Sequence, residues 1–296
     1  MRQINRILCP LDLSDISRHA ADHAVLLASW YGAKITALHI SNPVTIPSVD
    51  FTVAGMGPSL ILTEDDIKQL HGQIAACFPT AKSSNLDIVI DGGPPANAIL
   101  DRARALPADL IVIGTHGIGG FEHLVLGSVT EKVLRKATCP VMTVPPHPRT
   151  TSTLPFKRLL CPIDFSDSSL SALEFAFSIA QEGEAELTLL HVFDAGDEPL
   201  TNRPINVPEY RLQIEHDFAE KLEALVPAST RTWCHPHTRV AHGKPYREIL
   251  GVATEDSADL IVMGVHGRNA LDLMLFGSTT NQVVRRATCP VLTLRV

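Results

Sequence analysis

Residues 108–144 read ADLIVIGTHGIGGFEHLVLGSVTEKVLRKATCPVMTV, and residues 258–294 read ADLIVMGVHGRNALDLMLFGSTTNQVVRRATCPVLTL. Aligned without a gap, 19 of the 37 positions are identical. The offset is 150 throughout, from Gly114 and Gly264 to Cys139 and Cys289. Upstream, RILCPLDLSD at 6–15 matches RLLCPIDFSD at 158–167 with an offset of 152. A repeat of this length means two complete domains rather than a stack of small units. The expected division is a first domain over 1–146, a linker over 147–156 and a second domain over 157–296. The joint lies within VPPHPRTTSTLPFK (144–157), a Pro/Thr-rich stretch without periodicity.

Each copy alternates strand-like and helix-like segments. INRILCPL and KRLLCPI are short apolar runs, followed in the first copy by Ser14 and Asp15 as helix-cap residues and an apolar helical face over 20–30. AKITALHI, LDIVI, DLIVI and PVMTV complete five strands in the first copy. ELTLLHV, TRV, DLIVM and PVLTL do so in the second, with helices between them. Near-continuous apolar strands separated by helices mean a parallel sheet covered on both faces. The expected fold is therefore α/β: two tandem doubly wound domains, each with a five-stranded parallel sheet and helices on both faces.

Apolar residues make up 45% of the 296, enough for two cores. A net charge of −7 argues against a nucleic-acid partner, which needs clustered Lys and Arg. There is no apolar run long enough to span a membrane and no signal-peptide pattern at the start, so a cytoplasmic protein without a membrane partner is expected. Cys9 with Cys161, and Cys139 with Cys289, are repeat equivalents that precede a proline beside an apolar run. Such positions read as buried thiols. Cys234, His235 and His237 offer metal-ligand chemistry, but adjacent Cys and His seldom point the same way and the first copy has no equivalent; no metal is expected there.

The chemistry resides in the glycines. Gly114 and Gly117, then Gly127-Ser128, recur as Gly264 and Gly267, then Gly277-Ser278. The first glycine of each set ends an apolar strand, the edge where open α/β sheets bind ligands. Each Gly-Ser pair opens a helix, whose free N–H groups suit phosphate. Asp12 and Asp164 follow the first strand of each copy and would face the same crevice, suited to a ribose hydroxyl or a base edge. Neither copy carries the lysine of a Walker loop, nor a G-x-G-x-x-G after its first strand.

Taken with the first-strand P-[LI]-D-x-S-D segments, GTHGIGGFEHLVLGSVTEKVLRKATCPV and GVHGRNALDLMLFGSTTNQVVRRATCPV resemble the signature of the universal stress protein family over nearly the whole chain. The resemblance is to a tandem member of its ATP-binding branch. It implies ATP or AMP as ligand, with or without Mg2+. Carried over by position, it marks Pro10, Leu11, Asp12, Ile40, Gly114, His116, Gly117, Gly127, Ser128 and Val129. In the second copy it marks Pro162, Ile163, Asp164, Val192, Gly264, His266, Gly267, Gly277, Ser278 and Thr279; Thr279 departs from the apolar residue common there. Beyond the resemblance, Arg268 stands where the first copy has Ile118, and a guanidinium there suits a triphosphate.

The expected function is that of an adenine-nucleotide-binding stress-response or signalling protein, a conformational switch with slow hydrolysis at most. No catalytic residue can be placed from spacing. The alternative is a phosphohydrolase or nucleotidyl-transfer enzyme using the same crevice. PVMTV and PVLTL should lie at sheet edges, so an intramolecular pseudo-dimer of the two domains is expected, with a further homodimer left open.

Overall fold

The computed structural model describes residues 3–41, 63–117, 126–148, 156–193, 208–265 and 276–295. The first half runs β1 (Arg6–Leu11), α1 (Asp15–Tyr31), β2 (Lys34–Ile40), α2 (Glu64–Ala76), β3 (Leu86–Asp91), α3 (Pro95–Ala105), β4 (Leu110–Gly114), α4 (Ser128–Lys136) and β5 (Val141–Val144). The second half repeats this order: β6 (Arg158–Pro162), α5 (Asp167–Gly183), β7 (Glu186–Phe193), α6 (Pro208–Ala224), β8 (His235–His242), α7 (Pro245–Glu255), β9 (Leu260–Gly264), α8 (Ser278–Arg286) and β10 (Val291–Leu294).

All ten strands form one sheet in the order β3-β2-β1-β4-β5-β10-β9-β6-β7-β8. Pairing is parallel within each half and antiparallel where β5 meets β10. There Val291, Leu292 and Thr293 oppose Thr143, Met142 and Val141. Thr143 Oγ1 donates to Val291 O at 3.2 Å, and Thr293 Oγ1 returns the contact to Val141 O at 3.1 Å. Each domain thus covers the apolar edge of the other, the standard remedy for an open strand.

Alternation along the strands sorts the core into two layers. One, on the α1/α2/α5/α6 face, includes Ile7, Cys9, Cys161 and Leu187. The other, on the α3/α4/α7/α8 face, includes Leu8, Leu38, Leu160 and Leu190. Both layers draw residues from both halves. Cys9 and Cys161 are fully buried, and burial pushes their thiols well above the ordinary range.

The second-half strand read as TRV is longer than its apolar core suggested, starting at His235. Pro236 hides it in the sequence. Because β8 ends the sheet, a residue without an N–H is tolerated there. Strand alternation turns His235 and His237 to one face and Cys234 to the other, where its thiol is buried and donates to Ala185 O at 3.1 Å. Among the described residues no group of His, Cys, Asp and Glu is arranged to hold a metal ion. Nor is any helix among them long and apolar enough to cross a membrane.

Candidate functional site

Strand order reverses between β1 and β4, and again between β6 and β9. At both places the two strands pair over just two positions: Ile7 with Leu110 and Leu8 with Ile111, then Leu159 with Leu260 and Leu160 with Ile261. Beyond those pairs the carboxyl ends separate, leaving a crevice at the topological switch point. Because β5 and β10 are antiparallel, the two crevices open at opposite edges of the sheet.

The floor of the first crevice is the turn after β1. Asp12 Oδ1 accepts from Ser14 N at 3.1 Å and Ser14 Oγ at 2.6 Å, while Ser14 Oγ accepts from Ser17 N at 3.2 Å and so caps α1. The second half repeats this: Asp164 Oδ1 takes Ser166 N at 3.0 Å and Ser166 Oγ at 2.5 Å, and Ser166 caps α5. The residue between them is left-handed in both halves, with φ 66° at Leu13 and 62° at Phe165. Such a backbone costs a non-glycine residue about 1–2 kcal/mol. The aspartate and serine hydrogen bonds hold it, and the result is a carboxylate fixed at the crevice.

Across from it stands the glycine segment. A Cβ on Gly117 would collide with Asp12 Oδ2, so the carboxylate lies against bare backbone. Gly127 N donates to Thr115 O at 2.9 Å, and Gly277 N to Val265 O at 3.0 Å. These bonds fold the chain back so that α4 and α8 start at the crevice. Neither helix has a side-chain N-cap, and both start on Gly-Ser, with Ser128 and Ser278 exposed. First-turn amides in that position suit an anion. Val129 and Thr279 follow, half-buried.

Gly114 and Gly264 have a different neighbour from the one spacing suggested. A Cβ on Gly114 would meet Ile16 Cγ2 at 3.2 Å, and one on Gly264 would meet Ser168 at 2.5–2.9 Å. These glycines let α1 and α5 approach the strands closely. His116 is buried with Nδ1 2.9 Å from Thr115 Oγ1. Pro10 and Leu11 end β1, Pro162 ends β6 with Ile163 just after it, and Ile40 and Val192 lie at the carboxyl ends of the strands beside them. Of the remaining expected residues, His266, Gly267 and Arg268 lie outside the described residues.

One pair of residues joins the site that sequence reading did not mark. Thr130 Oγ1 donates to Gly114 O at 2.8 Å and Thr280 Oγ1 to Gly264 O at 3.0 Å, tying each helix start to its strand end. Their identity in both copies was the available signal. His39 and His191 anchor the second strand to the first, with Nδ1 at 2.9 Å from Leu11 O and 2.7 Å from Ile163 O.

A doubly wound domain occurring twice, each copy with a switch-point crevice between an aspartate turn and a bare helix start, defines a tandem α/β protein with two matched candidate sites. The universal stress protein family model matches residues 3–145 and again 155–295, and the chain belongs to that family. A universal stress protein of Mycolicibacterium smegmatis is 30% identical over 298 residues, covering 98% of this chain and 96% of its own. Universal stress protein MJ0531 of Methanocaldococcus jannaschii is 36% identical over 143 residues, 47% of this chain and 82% of its own. The crystal structure of a universal stress protein from Archaeoglobus fulgidus shares the fold with a TM-score of 0.64 at 24% identity, covering 99% of this chain and 97% of that one.

Proposed function

We propose that this protein binds an adenine nucleotide, ATP or AMP, in the glycine crevices and acts as a conformational switch. The observation that carries this reading is the opposition of Asp12 to Gly117 beside the uncapped start of α4. One wall offers a fixed carboxylate for ribose hydroxyls; the other offers backbone amides for phosphate. A side chain at Gly117 would occupy that space, so the residues present fit the ligand. Pro10 and Ile40, with Pro162 and Val192 in the second half, supply apolar surface for the base. A bound triphosphate would bring its own anhydride and any Mg2+ it carries. The protein residues bind and orient it. Fast hydrolysis would need a base on the attacking water. Asp12 and Asp164 each already hold a serine N–H and hydroxyl on one oxygen, which favours binding over turnover.

The test is mass spectrometry of nucleotide released on denaturing the freshly purified chain, followed by calorimetry with ATP and AMP. Gly127→Val with Gly277→Val presses side chains on the carbonyls of Thr115 and Val265, displaces the starts of α4 and α8, and should abolish binding. A folded double variant that binds ATP like the parent removes the site assignment. Arg268→Ala should weaken ATP at the second crevice and leave AMP unchanged; equal losses would mean that Arg268 does not meet the γ-phosphate.

A further inference from the structure

The sheet has a second concavity, far from the glycines. A cavity of about 430 Å³ opens at the amino ends of β6, β7 and β8, beside the carboxyl end of α7. That volume lies within the range of small-molecule sites. Its floor is apolar, from Leu160 and Ala258, and its polar lining includes Arg158, Glu186, Thr188, His237, Arg239 and Asp256.

The first half fills the matching positions with aliphatic side chains. The repeat offset of 150 puts Val89 where Arg239 stands and Leu106 where Asp256 stands, and both pack on the core. In the second half Arg239 Nη2 donates to Glu255 Oε2 at 2.6 Å, and its Nη1 lies 3.7 Å from Asp256 Oδ1. Thr188 Oγ1 donates to Asp256 Oδ2 at 3.3 Å. Half-exposed ion pairs add little stability, whereas aliphatic side chains packed on the core add more. The exchange opens a polar hollow and gives up packing, which points away from a purely structural role.

Arg158 and Glu186 sit at the rim as register partners on adjacent strands. Both point to the α7 face. The start of β6 is fixed by Asp259, which accepts from Lys157 N at 2.8 Å and Arg158 N at 3.1 Å. In the first half the matching residues are Arg6 and Lys34, two cations. On these paired strand positions the second half therefore presents a cation and an anion side by side, where the first presents two cations.

We propose that this hollow is a site for a small zwitterion of the α-amino-acid class. The Arg158 guanidinium takes the carboxylate in a two-pronged contact, Glu186 takes the ammonium, and the side chain lies over Leu160 and Ala258. His237 and Thr188 border the remaining space. The proposal is independent of nucleotide binding, because the hollow and the second crevice lie at opposite ends of the same strands.

The test is amide chemical-shift mapping on the full chain, titrated with L-leucine, L-glutamate and L-arginine, and with acetate and ethylamine as half-ligand controls. At least one amino acid should move the Leu160, Thr188 and Ala258 amides at up to ~10 mM, and the controls should not. Arg158→Gln and Glu186→Gln should each weaken that binding about tenfold or more, with ATP titration unchanged. Arg239→Val with Asp256→Leu, which copies the first half, should fold and lose it. Absence of shifts with all three amino acids, equal shifts with acetate, or full binding by the filled variant would each overturn the proposal.

Discussion

At position 23 the first half buries a histidine; at the matching position, 175, the second half buries a phenylalanine. Both lie on the helix that follows the first strand, α1 or α5. His23 Nδ1 is 2.6 Å from His19 O, and its Nε2 is buried with no partner among the described residues. Phe175 fills its place without any polar atom to satisfy. The glycines differ too: Gly264 and Gly277 leave less room for a Cβ than Gly114 and Gly127 do. One backbone plan thus carries a first half with a histidine in the core face of α1 and a second half that is tighter around its crevice. Duplication preserved the frame while the two fillings diverged.

The largest expected effect tests the histidine. Burial lowers the His23 pKa to about 4, against an ordinary value near 6.5. The unfolded chain therefore takes up a proton between those pH values that the folded chain refuses. Stability from the neutral ring is complete above pH 6.5, falls as the pH drops through that window, and is lost near pH 4. The full loss is on the order of 3 kcal/mol. Urea midpoints at pH 7 and pH 4.5 should diverge in the parent and less so in His23→Phe. An equal acid loss in both would place the lability elsewhere.

Next is the tightness of the second half. Gly264→Ala sets a methyl against the Ser168 backbone and should destabilise by about 1–3 kcal/mol. Gly114→Ala meets Ile16 Cγ2 at 3.2 Å and His116 O at 3.3 Å, a looser fit, and should cost about 1 kcal/mol or less. Chemical denaturation with the order reversed would break the comparison.

The junction should respond evenly to the two sides. Thr143→Val and Thr293→Val each remove one cross-strand side-chain bond, about 0.5–1.5 kcal/mol apiece. Unequal losses in thermal unfolding would show that the two domains do not share this edge symmetrically.

The smallest effect concerns β3. Asp91 pairs with Arg102 at 3.0 Å, whereas the second half has Ala241 and Val252 at those places. Both partners are partly exposed, so Asp91→Ala should change stability by about 0.5 kcal/mol or less, and less still at ~1 M salt. A larger, salt-independent loss would assign Asp91 a role beyond this pair.

What the sequence made legible follows from range. Apolar runs such as RILCPL and DLIVIG set the strands, and Ser14 marks a helix start through a contact three residues long. β8 was partly hidden because an edge position tolerates Pro236, which a central strand would not. Duplicated spacing exposed Asp12, Gly117 and Gly127 as a set. It could not show that Gly114 faces Ile16, or that Thr130 reaches Gly114 O, because those neighbours are chosen by packing. His23 looked like any helical histidine until its surroundings closed over it. The amino-end hollow was invisible for the same reason, since Arg239 and Asp256 lie 17 residues apart and meet across two elements.

The β5–β10 junction also sets a timetable. About 150 residues of chain separate Val144 from Val291, so at ~5–20 residues per second the ribosome makes β10 roughly 7–30 seconds after β5. Throughout that interval the newborn first half presents VMTV, four residues that end up fully buried, as an open edge. A neighbouring nascent chain offers the same four residues, and antiparallel β5–β5 pairing would imitate the finished contact. What decides the outcome is tethering. Once VLTL emerges, its attachment to the same chain holds it near β5 at an effective concentration in the millimolar range. Crowded polysomes, slow elongation or a stalled message prolong the interval in which unfinished molecules can capture one another.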